Sequence, residues 1–390
     1  MYKKRAGRFF SGVKIAIVTE TFPPEINGVA MTFGILAREM AALGHSVTVY
    51  RPSQPHDSLL GGGEDYRQQA MAGIPLPGYP SLRVGLPAKS RLARFWQDVP
   101  PDVVHVVTEG PLGVSAVSAA LELGLPVTSS FHTNFHSYMS HYGWRILHGV
   151  ATAWLRRIHN RTARTFVPTE EVRQQLGKSG FQNLALLSRG VDTRVFDPAL
   201  RCDELRSSWG ADPETCVVLH AGRLAPEKNY PLLLEAFRRM RAANSGCRFV
   251  MVGDGPLRME LQRGCADCHF AGAVPHERMG VYYASADVYL HASRTETFGN
   301  VVLEALASGL AFVGFNYAAA RLFVKNGRNG LLADGARPDD LLEAAVALVA
   351  DSELRRRLRT GARLAVEAQS WRAVAVQFAR ELEGVAEQAR

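Results

Sequence analysis

The stretch KIAIVTETFPPEINGVAMTFGILAREMAALGHSVTVY, residues 14–50, decides the fold class. KIAIVTE (14–20) is a short apolar run, which reads as a strand buried on both faces of a parallel sheet. FPPEINGVA follows as a loop. Residues 29–43 carry apolar positions at helical spacing and stop at Gly44. HSVTVY (45–50) is a second strand. Strand, glycine-bearing loop, helix and strand together open a doubly wound sheet.

The same alternation continues outward. VVHVVT (103–108), with a helix from about 113, repeats it, and PVTSSFH (126–132) is a strand running into a loop. TFVPT (165–169) leads into EEVRQQLGKSG, a capped helix closed by Gly177 or Gly180. A strand at 181–187 runs into the turn SRGVDTRVF. Near residue 200 the pattern restarts after the charged, Gly- and Pro-bearing DPALRCDELRSSWGADPET. CVVLHAG (216–222), CRFVMVG (247–253), ADVYLHAS (286–293) and LAFVGFN (310–316) read as strands, with a helix in KNYPLLLEAFRRM. From Pro338 to Arg390 the chain reads as helical. Two α/β domains of similar size are therefore expected. In such sheets ligands bind beyond the carboxyl ends of the strands, so a site in a cleft between the domains is expected.

Composition narrows the class. The chain has 390 residues, 47% of them apolar, and 35 glycines, enough for two or three domains at about 150 residues each. The formal charge of +8 suits a phosphate-rich substrate or an anionic surface. No block of five like charges occurs, which argues against a nucleic-acid tail. No apolar run approaches about 18 residues, so no spanning helix is expected. The start, MYKKRAGRFFSG, is basic but lacks an apolar segment of signal length. Five cysteines, an odd number, with no secretory segment point to a reducing compartment. Cys265-Ala-Asp-Cys268 has redox or metal-site spacing but lacks a second pair.

The loops after the strands carry the candidate chemistry. Asn27-Gly28 precedes a helix, where a glycine lets backbone approach a phosphate and free amides attract it; a common turn is the other reading. The dinucleotide fingerprint G-x-G-x-x-G is absent after Val18, so no nicotinamide cofactor is expected. Gly222-Arg223-Leu-Ala-Pro-Glu-Lys228 offers a guanidinium fork and a point charge for a diphosphate, or else a solvated basic loop. Gly253-Asp254-Gly255-Pro256 is a further tight turn. HASRTETFGNVVLEALASG (291–309) holds Glu296 and Glu304, with Phe298-Gly299-Asn300 opening a helix between them. Eight helical residues turn through about 800 degrees, so the two acids would not share a helix face. They can meet one ligand if Glu296 lies in the loop and Glu304 in the first turns. Carboxylates there suit sugar hydroxyls and a ribose diol. His132 and His136 lack the third ligand and the H-E-x-x-H context of a zinc site. No Asp-x-Asp occurs, so no dedicated Mg²⁺ clamp is evident.

FPPEINGVA, GRLAPEKN and ETFGNVVLEALASG, in this order, resemble retaining nucleotide-sugar glycosyltransferases of family four, across nearly the whole chain. The Glu296-x7-Glu304 motif is the strongest element and Gly222-Arg223-x4-Lys228 the next. The resemblance implies a GT-B fold: two Rossmann-like domains facing across a cleft, with a final helix crossing back to the first. Residues 1–197 would form the acceptor domain, 198–370 the nucleotide-sugar domain and 371–390 the returning helix. Glu296 would contact the donor sugar and Glu304 the ribose, while Arg223 and Lys228 would neutralise the departing diphosphate without a metal. Amides around Gly28, Phe298, Gly299 and Asn300 would add to that hole. His132 would sit by the reacting hydroxyls, and the base would lie against Gly272-Ala273-Val274. Two places depart from the family pattern: Ala318-Ala319 replace a glycine pair with no acid directly after, and Arg189 stands where Asn is common.

The amino-terminal motifs resemble the branch that glycosylates lipid-linked acceptors. GDP-mannose is the expected donor, a UDP-sugar the alternative, and a glycolipid or polysaccharide precursor the acceptor. KSRLARFWQDV (89–99) and WRILHGVATAWLRRIHNRTAR (144–164) mix aromatic, aliphatic and basic residues, as an anionic membrane surface would require. Ordinary amphipathic core helices are the other reading. The chain is expected to be cytoplasmic, peripheral on the inner face of the membrane. A nucleotide-sugar epimerase would need acid and base groups on both sides of C2, which the chain does not offer. A phosphorylase would need a pyridoxal lysine. A non-catalytic sugar-nucleotide sensor is kept open by the altered Ala318-Ala319 loop.

Overall fold

The computed structural model describes residues 12–25, 27–55, 57, 65–76, 79–132 and 145–389. The first eleven residues, His136 and Trp144 lie outside them. The chain forms two compact units. One runs to Ser188 and takes in Trp371–Arg390; the other runs from Arg189 to Ser370. The crossing thus falls earlier than residue 197, at the end of the first sheet. There Val191 pairs with Ser370, and the Gln369 side chain donates to the Arg189 carbonyl at 2.7 Å. Arg189 is buried, and burial lowers its guanidinium pKa to about 10.

The first unit contains β1 (Lys14–Val18), α1 (Gly28–Ala42), β2 (Ser46–Pro52), β3 (Arg67–Met71), β4 (Gly73–Leu76) and β5 (Tyr79–Gly85). Next come α2 (Lys89–Asp98), β6 (Val103–Val106), α3 (Pro111–Glu122), β7 (Val127–Ser130), α4 (Arg145–His159), β8 (Arg164–Val167), α5 (Glu170–Lys178) and β9 (Leu184–Leu186). Its seven-stranded sheet has the order β3-β2-β1-β6-β7-β8-β9, with parallel pairings throughout. β4 and β5 form a separate antiparallel hairpin. Both β3 and the hairpin escape a reading by apolar runs, because RQQAM and GIPL are too polar or too short.

The second unit contains α6 (Asp203–Ser208), β10 (Val217–Ala221), α7 (Tyr230–Ala243), β11 (Arg248–Val252), α8 (Arg258–Gly264), β12 (Cys268–Gly272) and α9 (His276–Ala284). It continues through β13 (Val288–His291), α10 (Asn300–Ala307), β14 (Ala311–Phe315), α11 (Ala318–Phe323), β15 (Gly330–Ala333), α12 (Pro338–Ala350) and α13 (Ser352–Leu364). Its six strands run parallel in the order β12-β11-β10-β13-β14-β15. Helices cover both faces, giving two cores: Phe237, Phe249 and Leu348 on one, Tyr283, Leu303 and Phe312 on the other.

The last helix, α14 (Trp371–Gln388), belongs to the first unit. Its Val374, Phe378 and Leu382 pack with Phe33, Leu36 and Met40 of α1. Burying such a face is worth about 1.5–3 kcal/mol per large side chain.

The burial pattern corrects one surface expected from sequence. In 89–99, Leu92 and Trp96 are core residues of α2, with Trp96 only 1% exposed. Phe95 is half-buried under the Arg91 guanidinium, 5.6 Å from its ring centroid. That helix is amphipathic because it is packed, not because it meets a membrane. In 144–164, Leu155 is likewise buried, but Val150 and Trp154 are exposed, at 64% and 48%. They are spaced i, i+4, and exposed Arg157 lies on the same helix face, so one outward face carries both apolar and basic groups; exposed Arg161 follows in the turn beyond the helix. Among the described residues, no helix is long and apolar enough to cross a membrane.

Candidate active site

Strand order places the chemistry. In the second unit, β10 is flanked by β11 on one side and β13 on the other, so the order in which successive strands are added switches sides between β10 and β13 while all strands stay parallel. Loops leaving the carboxyl ends of such a strand pair diverge and leave a crevice between them. The loop after β10 brings Arg223 and Lys228; the loop after β13 brings Glu296 and leads into Glu304.

These two loops are tied together. The Thr295 and Ser293 hydroxyls donate to the Glu227 carbonyl at 3.2 and 3.3 Å. Asn229 takes a left-handed conformation, which Asn tolerates, and its side-chain amide donates to the Ala292 carbonyl at 3.2 Å. Lys228 is thereby held against the second loop, and its Nζ donates to Glu296 Oε1 at 2.5 Å. Both side chains are nearly buried, 17% and 16% exposed. Burial alone would lift the Glu296 carboxyl. The Lys228 charge, the neighbouring His291, and hydrogen bonds from Lys228 and Ser293 outweigh it and hold the pKa at about 2. Arg223 differs: it is 49% exposed and pairs with Glu227 at 2.8 Å. Its Nε and Nη2 both donate to Glu227 Oε1, at 3.2 and 2.8 Å, so the guanidinium is held by a partner four residues on in its own loop.

The helix that follows is shaped by Gly299, its N-cap, at φ +90°. An L side chain is disfavoured there, so the chain turns sharply between the acids. Glu296 thus lies in the loop and Glu304 in the second turn of α10. Asn300 is the first helical residue, and its amide is among those a helix start leaves for a ligand. The Phe298 ring is buried in the core edge-on to Phe323, and its carbonyl accepts from the Ala319 amide at 2.9 Å. Glu304 accepts a 2.9 Å hydrogen bond from the Tyr283 hydroxyl. Burial pushes its carboxyl up to about 7, with Tyr283 pulling the other way.

Gly253 shows why this crevice needs glycine. A Cβ there would lie 1.9 Å from the Gly222 carbonyl oxygen, so the two strand ends could not pass. In the next turn the Asp254 carboxylate accepts from the Gly255 amide and from Arg258, and its carbonyl accepts from the Leu224 amide at 2.9 Å, tying the turn to the loop after β10. Gly272 ends β12, and Ala273 and Val274 follow it; Ala273 is exposed and Val274 half-buried.

In the first unit the same topology holds, with β1 flanked by β2 and β6. Gly28 opens α1, and a Cβ on it would meet nothing within 4 Å. The Asn27 side chain already accepts from the amides of Val29 and Ala30. The expected anion hole is therefore narrower than the sequence suggests: the cap has taken two of its donors. The segment between β1 and α1 also holds Glu25, a buried acid that sequence reading passed over. Burial raises its pKa, against hydrogen bonds from Thr21 and the Arg83 backbone and the charges of Arg51 and Arg83. His132 follows β7 and packs edge-on to Phe33, with ring centroids 5.4 Å apart.

Other residues reached the site without a sequence signal being used. His220 is the penultimate residue of β10 and His291 the last of β13, each a polar residue near the carboxyl end of a buried strand, and that contrast was the available signal. Burial is the main cause that lowers their pKa values, to about 3 and about 4, so both are neutral near pH 7. Cys265 and Cys268 are joined as a disulfide, with Cα atoms 5.4 Å apart. Among the described residues, no group of three or more His, Cys, Asp or Glu could hold a metal ion.

A family model described as Glycosyltransferase Family 4 matches residues 26–195, and one described as Glycosyl transferases group 1 matches residues 202–365. The fold is the GT-B type, built from two Rossmann-like halves. The chain belongs to the family 4 glycosyltransferases. It is 32% identical to a GDP-mannose-dependent alpha-mannosyltransferase of Mycobacterium tuberculosis (strain CDC 1551 / Oshkosh), over 96% of this chain and 97% of the relative. It is 27% identical to an alpha-monoglucosyldiacylglycerol synthase of Acholeplasma laidlawii, over 82% of this chain and 84% of the relative. The crystal structure of Anabaena Alr3699/HepE in complex with UDP covers 95% of this chain and all of its own at a TM-score of 0.77 and 17% identity, a likeness of fold.

Proposed function

We propose that this glycosyltransferase moves a hexose, mannose from GDP-mannose, to a lipid-linked or glycan acceptor with retention of the α configuration. The observation that carries the reading is the Lys228–Glu296 pair at the point where the strand order of the second unit switches, with Glu296 eight residues before Glu304. A nucleotide sugar is polar at three places, and this site matches each. Glu296, ionised at any physiological pH, would accept from the sugar hydroxyls. Lys228 and the half-exposed guanidinium of Arg223 would neutralise the diphosphate as it departs, without a metal. Glu304 would hold the ribose diol. Gly28, Asn300 and the Phe298-Gly299 backbone would supply amides to the phosphates, Ala273-Val274 would lie along the base, and His132 would orient the reacting hydroxyls.

Retention with a single carboxylate near the sugar argues for front-face attack. A double displacement needs a carboxylate nucleophile about 5–5.5 Å from an acid partner. Glu296 is tied to Lys228, and Glu304 is assigned to the other end of the donor. The acceptor hydroxyl would therefore enter on the face the diphosphate leaves, and the phosphate oxygens would take its proton. GDP-mannose is supported by the likeness to the mycobacterial mannosyltransferase. A UDP-sugar donor is the second reading, supported by the likeness to the Acholeplasma synthase. The outward face of α4, with Val150, Trp154 and Arg157, and Arg161 in the turn after it, favour an acceptor in an anionic membrane surface.

Calorimetric titration of GDP-, UDP- and other nucleotide sugars tests the donor. GDP-mannose is expected to bind tightest and to give an α-linked product by NMR. Preference for a UDP-sugar would select the second reading, and an inverted product or a sugar ester on Glu296 would overturn the mechanism. Activity is expected to survive EDTA; loss restored by Mn²⁺ would show a metal requirement. Sedimentation with anionic vesicles, weakened by salt and by Trp154→Glu, is expected. Equal binding to neutral vesicles would point to a soluble glycan acceptor.

A further inference from the structure

A continuous run of stacked rings lies beneath the two acids. It starts at Glu304, which accepts from the Tyr283 hydroxyl at 2.9 Å. Tyr283 stacks on Tyr289, with centroids 5.5 Å apart and planes 9° from parallel. Tyr289 stacks on His291 at 6.1 Å and on His220 at 6.3 Å, and the two imidazoles stack on each other at 6.5 Å. The run ends where His291 Nε2 stands 3.8 Å from Glu296 Oε1, the oxygen that also receives Lys228. All four rings are buried.

The polar atoms of these rings fix the strand ends. The Tyr289 hydroxyl donates to the Ala221 carbonyl at 3.0 Å, and His220 Nδ1 lies 3.0 Å from the Leu290 carbonyl. A carbonyl only accepts, so Nδ1 carries the proton and Nε2 presents a lone pair. That Nε2 is buried with no hydrogen-bond partner among the described residues, as is Nδ1 of His291. A Cβ built on Gly222 would lie 3.8 Å from His220 Nε2 and 3.6 Å from Lys228 Cε, so this nitrogen borders the lysine stem. An apolar strand would be cheaper to bury than two imidazoles with unpaired nitrogens. Their place under the Lys228–Glu296 pair, in a stack that ends on Glu304, gives them a use.

We propose that Tyr283, Tyr289, His220 and His291 form a positioning layer that sets the two acids relative to each other, with His291 holding the Glu296–Lys228 pair and Tyr283 holding Glu304. None of the four is assigned a contact with the donor; each acts through an acid or through the lysine. Shifting either end of the stack would move one acid away from its part of the donor, and a displacement of about 1 Å at the reacting centre is enough for about a 100-fold loss. The inference rests on the reading that Glu296 serves the sugar and Glu304 the ribose.

The test compares Tyr283→Phe and His291→Phe, which keep the rings, with Glu304→Ala and Glu296→Ala. Turnover at saturating donor is measured beside the affinity for GDP and UDP. Tyr283→Phe is expected to weaken nucleotide binding about 5–10-fold with turnover within about twofold, since it loses only the hydroxyl on Glu304. His291→Phe is expected to lower turnover at least about tenfold with nucleotide affinity within about twofold. His291→Gln, which returns a nitrogen near Nε2 but packs worse, is expected to recover turnover over His291→Phe; a merely structural ring would give the reverse order. If the two acid variants separate turnover from affinity while the ring variants do not, the positioning layer is overturned and the reading of the acids stands. If the acid variants themselves fail to separate the two, that reading falls and takes the inference with it. Should His291→Phe fail to fold, Tyr283→Phe and His291→Gln still decide.

Discussion

The loop carrying Glu296 and the helix carrying Glu304 place the same side chain eight residues apart, and their surroundings drive the two acids in opposite directions. Both are shielded from water, which by itself raises a carboxyl pKa. Beside Glu296 an ammonium at 2.5 Å reverses that effect, and the pKa settles at about 2. Beside Glu304 stands only a neutral phenol, and the pKa rises to about 7. A permanent charge suits a group meant to act on developing charge; a group that titrates near neutrality suits a ligand it must grip and release. The motif supplies two acids, and the loop tethers and stacked rings make them unequal.

The largest test of that inequality is kinetic. Glu296→Ala is expected to lower turnover about 30–1000-fold, the effect of about 2–4 kcal/mol at a charged site. Lys228→Ala and Arg223→Ala are expected to fall in the same range. Glu304→Ala is expected mainly to weaken nucleotide binding. Losses under about threefold for both Arg223→Ala and Lys228→Ala, at saturating donor, would remove them from the diphosphate.

The next test is stability against pH, where the acids have opposite signs. The folded pKa of Glu296 lies below the unfolded value of 4.5, so its contribution is complete above pH 4.5 and is lost as pH falls through about 2. Glu296→Gln is expected to cost about 2–3 kcal/mol at pH 7, a deficit that closes in acid. The folded pKa of Glu304 lies above 4.5, so its contribution is complete below pH 4.5 and is lost as pH rises through about 7. Glu304→Gln is expected to gain on the wild type as pH rises from 4.5 to 7, by about 2–3 kcal/mol, and to show no gain at pH 4. Urea titrations across that range measure both. Parallel curves for the two variants would break the comparison.

A smaller effect appears in ligand affinity. An ionised Glu304 accepts from ribose hydroxyls more strongly than a neutral acid does. Affinity for guanosine or uridine, chosen because neither has a phosphate to titrate, is expected to rise about 3–10-fold as pH passes through about 7. The rise should be absent in Glu304→Gln. A flat profile in the wild type would separate Glu304 from the ribose.

Much of this was legible in the sequence. The apolar runs at 14–20, 216–222 and 286–293 are strands because parallel strands are covered on both faces. The turn of about 800 degrees over eight residues argued against one helix face carrying both acids, and Gly299 at the N-cap leaves Glu296 in the loop. What the sequence left out was pairing. The Leu92 and Trp96 periodicity is the same for a packed helix as for a membrane-facing one, and only burial distinguished them. The Asn27 cap consumed donors that the Asn-Gly pair had suggested were available. His220, Tyr283, Tyr289 and His291 are spread over three elements, and no local window brings them together.

The smallest expected effect concerns Ala318, in the loop that departs from the family's glycine pair. Ala318 keeps the left-handed backbone, at φ +50°, that a glycine would adopt without strain. The next amide, of Ala319, donates to the Phe298 carbonyl at 2.9 Å, so this strained turn braces the segment between the two acids. The conformation costs an alanine about 1–2 kcal/mol, and a glycine gives back about 0.5–1 kcal/mol through the entropy of its unfolded chain. Ala318→Gly is therefore expected to stabilise the protein by about 0.5–1 kcal/mol, or raise its melting temperature by about 2–3 °C. If the brace depends on backbone shape alone, turnover and nucleotide affinity should both stay within about twofold, since the Ala319–Phe298 hydrogen bond is kept. A melting temperature that falls would mean the alanine methyl, buried in the wild type, stabilises the loop more than the backbone strains it. A selective loss of turnover would mean that the methyl helps hold Glu296, extending the inequality of the two acids to the far side of Phe298.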